Sequence, residues 1–266
     1  MTCPSFLDVS FSTIRQQIAQ AKSLVLFLDF DGTLVPICQL PDQAHLAPAV
    51  RSTLETLVAR ANTVVSIISG REMWDLRRRV GVPGIIYAGE HGMEIRGRGL
   101  QFLEPGALAR RGVIKLLARE LTTGLEEFRG VFVEEKHFTL AVHYRLARRD
   151  DVAEIRDRVK AAVDMAGGQA ELRPGKMVWE VLPRTGWRKG SAAEWIYRSC
   201  DESDGLPVYA GDDEADEDAF GRLAGWITIR VGAEDTLARY SLAGPEEVHQ
   251  FLAWLAENPE PRSSDR

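Results

Sequence analysis

Five short apolar runs, spaced along the chain and mostly ending at a glycine, a hydroxyl or a carboxylate, set the strongest limit on how this chain can fold. They occupy residues 24–28, 63–68, 85–88, 207–210 and 226–231. Runs this short and this apolar are what strands buried on both faces require. Between them the apolar spacing changes. Val50, Leu54, Leu57, Val58 and Ala61 recur at helical intervals, with Pro48 near the start. Segments 71–80, 213–223 and 246–257 read as helices, and Ala192, Trp195, Ile196 and Ser199 share one face of another that opens at Lys189. Strand alternating with helix implies an α/β fold, a parallel sheet with helices on both faces.

The middle of the chain breaks this rhythm. It predicts a helix over 108–128, strands at 131–135 and 139–144, a helix over 150–166 capped by its aspartates, and strands at 170–173 and 178–182. That order implies a small α+β module inserted into the larger domain. The expected division is a core of residues 1–96 and 184–266, with the insertion at 97–183.

Composition narrows the function classes. The 266 residues carry a formal net charge of -6. An acidic chain argues against nucleic acid or an anionic membrane as partner, and any phosphate site must gather its positive charge locally. Cys3, Cys38 and Cys200 have no paired spacing, so neither a disulfide framework nor a zinc site is expected. Residues 1–14 lack a basic segment followed by an apolar run, and the run at 24–28 is far too short to span a bilayer. A cytoplasmic protein, acting as a monomer, is expected, with a disordered polar tail at 259–266.

Four motifs carry chemistry. Asp29-Phe30-Asp31-Gly32-Thr33 follows the first strand, where ligands of open α/β sheets bind. Two residues apart in extended backbone, Asp29 and Asp31 face one side: one can be a nucleophile while the other handles protons. Gly32 permits a sharp turn; the bland alternative is a solvated turn. Ser69-Gly70-Arg71 offers a hydroxyl and N–H groups at a helix start, though Ser-Gly is also a common cap. Lys189 can hold a phosphate oxygen, though a lone lysine is usually only solvated. Gly211-Asp212-Asp213-Glu214-Ala215-Asp216 gathers carboxylates that repel one another unless a cation sits nearby. An acidic helix start accounts for Glu214, Glu217 and Asp218, but poorly for Asp212 and Asp213, which precede the helix.

In this order the motifs resemble the haloacid dehalogenase superfamily of phosphohydrolases, with a Rossmann-like core and an inserted α+β cap. Further strings, Tyr87-Ala88-Gly89-Glu90-His91-Gly92, Val133-Glu134-Glu135-Lys136, Ala141-Val142-His143-Tyr144-Arg145 and Gly175-Lys176-Met177-Val178-Trp179-Glu180, resemble trehalose-6-phosphate phosphatases. Ala215 departs from that family, which often carries Thr there. The resemblance implies hydrolysis of trehalose 6-phosphate, the final step of trehalose synthesis. Asp29 would form an aspartyl phosphate, Asp31 would serve as acid and base, and Ser69 and Lys189 would hold phosphate oxygens, with Asp216 orienting Lys189. Mg²⁺ would be bound by Asp29, the Asp31 carbonyl and Asp212, with Asp213 close by. Gly70 and Arg71 would border the phosphate. The sugar would be read by Glu134, Lys136, Arg145, Lys176 and Glu180 on the insertion and by Glu90 and His91 on the core. His143, on the opposite strand face from Tyr144, reads as structural. The alternatives are a phosphatase for sucrose phosphate or mannosylglycerate phosphate, a silent sugar-phosphate sensor, and a mutase.

Overall fold

The computed structural model describes residues 9–38, 40–200, 204–232 and 235–258; Cys3 and the tail at 259–266 lie outside them. The elements run α1 (Val9–Gln20), β1 (Leu24–Leu28), α2 (Pro48–Val58), β2 (Thr63–Ile68), α3 (Met73–Val80), β3 (Ile86–Gly89), β4 (Glu94–Gly97) and β5 (Leu100–Leu103). Next come α4 (Pro105–Gly124), β6 (Phe132–Glu135), β7 (Leu140–His143), α5 (Val152–Met165), β8 (Ala170–Gly175) and β9 (Val178–Pro183). The chain ends with α6 (Lys189–Ser199), β10 (Leu206–Gly211), α7 (Glu214–Arg222), β11 (Ile227–Val231), β12 (Tyr240–Leu242) and α8 (Pro245–Glu257).

Two compact units form, one from 1–102 with 188–266 and the other from 103–187. The first is built on a sheet of order β12-β11-β10-β1-β2-β3-β4-β5. It is parallel from β12 to β3, and β4 returns antiparallel. Every residue of β1, β2 and β11 is buried, which explains the unbroken apolar run of β1 and the mostly apolar β2 and β11, where Thr63, Ser66, Thr228 and Arg230 are buried polar exceptions. Pro48 occupies the first turn of α2, where its missing N–H costs nothing. Ile14 and Ile18, one helical turn apart on α1, complete the same core as Leu26, Leu54 and Phe251.

The second unit is a four-stranded antiparallel sheet, order β6-β7-β9-β8. One face is apolar: Leu140, Val142, Trp179 and Val181 pack with Ile114, Leu117 and Leu121 of α4 and Ile155 and Val159 of α5. The other face is polar. Glu134, Ala141, Glu180 and Arg173 stand side by side across the four strands.

Three expectations are corrected. Residues 97–102 belong to the large sheet, because β5 pairs beyond β4. The chain turns there through Arg98 and Gly99, both at positive φ, as a tight hairpin demands. The α5 helix is not capped by aspartate side chains: Asp151 makes no capping hydrogen bond, and a 3-10 turn at Arg149–Asp151 leads in. The α4 helix starts earlier than predicted, where the Glu104 side chain accepts from the Ala107 N–H and Pro105 takes the first turn.

Candidate active site

Sheet order decides which motifs meet. With β1 between β10 and β2, the residues following those three strands fall at one edge of the sheet. The Asp29 N–H bonds the Ala210 carbonyl at 2.9 Å, tying the end of β1 to β10. The chain then turns tightly: Leu34 and Val35 donate to the Phe30 carbonyl, and Gly32 N–H to the Val35 carbonyl at 2.7 Å. Gly32 has φ 90°, and a Cβ there would run into the Asp212 carboxylate. Glycine is thus required both for the turn and to let the two acidic loops approach.

Lys189, the first residue of α6, is 1% exposed. Its Nζ donates to Asp29 Oδ1 at 2.8 Å, to Asp216 Oδ1 at 3.0 Å and to Asp213 Oδ1 at 3.4 Å. This burial removes the solvated-lysine reading. Asp216 is a hub. Its Oδ1 also accepts from the Tyr209 hydroxyl at 2.8 Å, and its Oδ2 accepts from the N–H groups of Asp212 and Asp213 at 3.0 and 3.1 Å. Gly211 leaves space for it, since a Cβ there would strike the Asp216 carboxylate. Asp213 is the N-cap of α7, its side chain accepting from the Asp216 N–H. The acidic helix start therefore accounts for Asp213, contrary to the expectation from its position ahead of the helix.

The electrostatics follow from burial against pairing. Burial pushes the Asp29 carboxyl well above the ordinary carboxylate range, with Lys189 pulling it down and Asp216, Asp212 and Asp213 adding to the rise. Burial and the Asp213 charge push Asp216 up to about 8. Burial also opposes charge on Asp213, but Lys189 and the Asp216 hydrogen bonds outweigh it and hold Asp213 below the usual range. Burial disfavours the Lys189 charge, yet the surrounding aspartates keep it well above the ordinary lysine value. The cluster holds one cation among several carboxylates and has capacity for more positive charge.

The carboxylate oxygens of Asp29, Asp212 and Asp216 lie within 4.8 Å of one another and could hold a metal ion. Asp29 Oδ2 is buried and has no hydrogen-bond partner, whereas both Asp216 oxygens are taken. Asp29 and Asp212 are therefore the carboxylates best placed to serve as ligands, and an all-oxygen donor set suits a hard cation.

Asp31 is not part of this cluster's hydrogen bonding. Both of its oxygens accept from Arg71, Nε to Oδ2 at 2.6 Å and Nη2 to Oδ1 at 2.7 Å. Burial works against the Arg71 charge, but Asp31 and Asp75 raise its pKa above the ordinary value. Ser69 is buried and its Oγ accepts from the Arg71 N–H at 3.2 Å. Glu90 and His91, both buried, have φ of 47° and 59°, a left-handed pair held by bonds from their N–H groups to the Arg71 and Ser69 carbonyls. Two non-glycine residues in this region store backbone strain, which recurs at functional sites.

On the polar face of the small sheet, His143 Nε2 meets Glu134 Oε2 at 2.8 Å and its ring stacks on Phe132. Lys136 Nζ lies 3.8 Å from Glu180 Oε1. Arg145 donates to the Lys176 carbonyl at 2.9 Å, tethering the turn between β8 and β9. His143 thus sits beside a sugar-reading candidate. The sequence pattern also passed over Tyr209 and Asp75; Asp75, four residues from both Arg71 and Arg79, was visible as a helical charge pair.

Comparison with known proteins decides the family. Residues 27–243 match the trehalose-phosphatase family. The chain belongs to that family. A trehalose-phosphate phosphatase of Mycobacterium tuberculosis is 40% identical over 248 residues, covering 89% of this chain and 62% of the relative. A probable trehalose-phosphate phosphatase D of Arabidopsis thaliana is 33% identical, covering 92% of this chain and 71% of the relative. The chain thus spans under two thirds of the mycobacterial relative it matches. The C-terminal domain of the trehalose-6-phosphate phosphatase of C. albicans superposes with a TM-score of 0.81 at 22% identity, over 96% of this chain and 98% of that domain. That likeness shows the shared fold, a core unit with a mainly parallel sheet and a second, smaller unit with an antiparallel sheet. Among the described residues, no helix of this trehalose-phosphatase family member is long and apolar enough to cross a membrane.

Proposed function

We propose that this chain hydrolyses trehalose 6-phosphate to trehalose and inorganic phosphate through an aspartyl phosphate on Asp29, with Mg²⁺ as its metal. The observation that carries the reading is the state of Asp29. One oxygen is pinned by Lys189 at 2.8 Å, and the other is buried without a hydrogen-bond partner. A buried carboxylate left half-unsatisfied is costly unless a ligand completes it. A nucleophile awaiting a metal and a phosphoryl group fits that description.

Asp29 and Asp212, with the Asp31 carbonyl, would hold Mg²⁺. When bound, the ion supplies the charge that lets a carboxylate approach a phosphate dianion. The chain's own residues do the rest. Asp29 attacks phosphorus, and the sugar oxygen leaves with a proton from Asp31. A water then attacks the phosphoryl group, and its proton goes to Asp31. Lys189 and Ser69 hold phosphoryl oxygens as charge shifts. Asp216 and Tyr209 keep Lys189 in place. Gly70 borders the phosphate. Glu134, Lys136, Arg145, Lys176 and Glu180, with Glu90 and His91, read the sugar hydroxyls, since paired carboxylates and cations suit hydroxyl groups.

The test is phosphate release from trehalose 6-phosphate, sucrose phosphate, mannosylglycerate phosphate and glucose 6-phosphate, with Mg²⁺ and after chelation. Chelator-sensitive turnover that favours trehalose 6-phosphate is expected. Equal rates on all four would remove the substrate assignment, and turnover indifferent to chelation would remove the metal.

A further inference from the structure

Arg71 stands at a motif boundary, yet each of its three guanidinium nitrogens donates to the protein. Nε and Nη2 fork onto the two Asp31 oxygens, Nη2 also reaches the Pro41 carbonyl at 2.8 Å, and Nη1 donates to Asp75 Oδ2 at 2.7 Å. The guanidinium lies 5.5 Å from the Phe30 ring centre. Asp75 is gripped in turn by Arg79, whose Nε donates to both its oxygens at 2.8 and 2.7 Å, while Arg79 Nη1 donates to the carbonyls of Ala44 and Asp42 at 2.7 and 3.1 Å. The main chain of Arg71 is fixed as well, its N–H to Ser69 and its carbonyl accepting from Glu90. The side chains of Arg71, Asp75 and Arg79 are 11%, 17% and 9% exposed, while Asp31 keeps 32% exposure. So the line Asp31–Arg71–Asp75–Arg79 is a half-buried brace whose working end, Asp31, is its most exposed member. An arginine fork is rigid and planar, and it fixes the plane of the carboxylate it holds.

We infer that Arg71 is a positioning residue for the second half of the reaction: it holds the Asp31 carboxylate in the plane from which that group takes the proton of the attacking water. The inference rests on the roles given to Asp29 and Asp31 above. In that step water oxygen bonds to phosphorus and the bond from phosphorus to the Asp29 oxygen breaks. The Asp29 carboxylate is regenerated, and the water proton passes to Asp31. The fork occupies one acceptor direction on each Asp31 oxygen, and each oxygen keeps another lone pair for the water. A carboxylate accepting two N–H bonds is the form this step needs. The first half differs, because there Asp31 must arrive carrying a proton. Arg71 therefore bears more on breakdown of the phosphoenzyme than on its formation. The same contacts favour positioning over the direct substrate contact that the motif first implied for Arg71.

The experiment uses the full chain with Mg²⁺ and p-nitrophenyl phosphate as the probe, in wild type, Arg71→Gln, Arg71→Lys and Asp75→Asn. Rapid mixing follows nitrophenol release, and borohydride trapping with mass spectrometry reads acyl phosphate at Asp29. Arg71→Gln is expected to slow steady turnover on the order of 10²-fold with KM little raised. It should also show a burst of nitrophenol close to the enzyme concentration and accumulate trapped phosphoenzyme. Turnover of phenyl phosphates with leaving groups of different basicity should converge to one rate, because breakdown no longer involves the leaving group. Arg71→Lys should recover part of the rate. Asp75→Asn keeps Arg71 but removes charge from its rear support, so it should give a smaller burst in the same direction. It also covers the case in which Arg71→Gln does not fold. A raised KM with kcat intact and no burst in Arg71→Gln would overturn the inference by making Arg71 a substrate contact, and an unchanged burst in Asp75→Asn would overturn the brace. If Asp29→Asn keeps wild-type turnover of p-nitrophenyl phosphate, the mechanism proposed above fails, a result distinct from either.

Discussion

The acidic edge of the large sheet and the polar face of the small sheet carry similar residues under opposite physical regimes. At the first, Asp29, Lys189, Asp212 and Asp216 are 3% exposed or less and share hydrogen bonds. At the second, Glu134 is 40% exposed, and Lys136 and Glu180, at 9% and 20%, stand 3.8 Å apart. Buried charges must be paired or coordinate something, so each member of the first group depends on the others. Partly exposed pairs are screened and individually weak, so members of the second can change without collapse. Chemistry that must hold one phosphorus atom suits the rigid regime, and recognition of a many-hydroxyl sugar suits the adjustable one.

The comparison breaks hardest at Asp29. Asp29→Asn keeps shape and removes the nucleophile, so turnover should fall by about 10⁴-fold or more, measured by phosphate release. Residual turnover within about tenfold of wild type would place the nucleophile elsewhere. Lys189→Met tests coupling. Removing the one cation leaves several carboxylates facing each other, which should cost about 3–5 kcal/mol of stability as well as on the order of 10²–10³-fold in kcat. Urea denaturation beside kinetics reads both. A loss of rate with stability intact would show that the aspartates do not depend on Lys189. Tyr209→Phe is milder. It deletes one donor to Asp216 Oδ1 and leaves the Lys189 bond, so about 1–2 kcal/mol of stability should go, with a several-fold drop in rate. A neutral result in both would remove Tyr209 from the support of Lys189.

The two regimes also explain what the sequence disclosed. Strands β1 and β2 were legible because burial on both faces forces a largely apolar run, unbroken in β1 and interrupted only by Thr63 and Ser66 in β2. The β4–β5 hairpin was not, because its strands are half-exposed, β4 mixing charge and β5 a glutamine with apolar residues. Only the Gly97-Arg98-Gly99 turn marked it. At the site, Asp29, Asp31, Ser69 and Asp212 stand out because strand ends collect ligand-binding residues, and Lys189, which opens a helix, stands out only through its place in the ordered series. Their partners do not. That Tyr209 is a support, and that Arg71 turns its guanidinium to Asp31, depends on contacts between segments far apart in the chain. Asp75 was the exception: its spacing from Arg71 and Arg79 is local, but such a pair reads as surface decoration until burial is known.

The smallest effect is expected on the polar face, and there the comparison is sharpest. Glu134→Gln weakens its pairing with His143 and keeps the volume, so stability should shift by less than about 1 kcal/mol. If this carboxylate reads a sugar hydroxyl, KM for trehalose 6-phosphate should still rise on the order of tenfold, the worth of one hydrogen bond to a charged group. Turnover of p-nitrophenyl phosphate, which has no sugar, should not change. His143→Ala should follow the same pattern more weakly, because it removes one partner of Glu134 and keeps the carboxylate. A stability loss of several kcal/mol in either variant would make this face part of the scaffold, and an equal loss on both substrates would tie Glu134 to the phosphate chemistry.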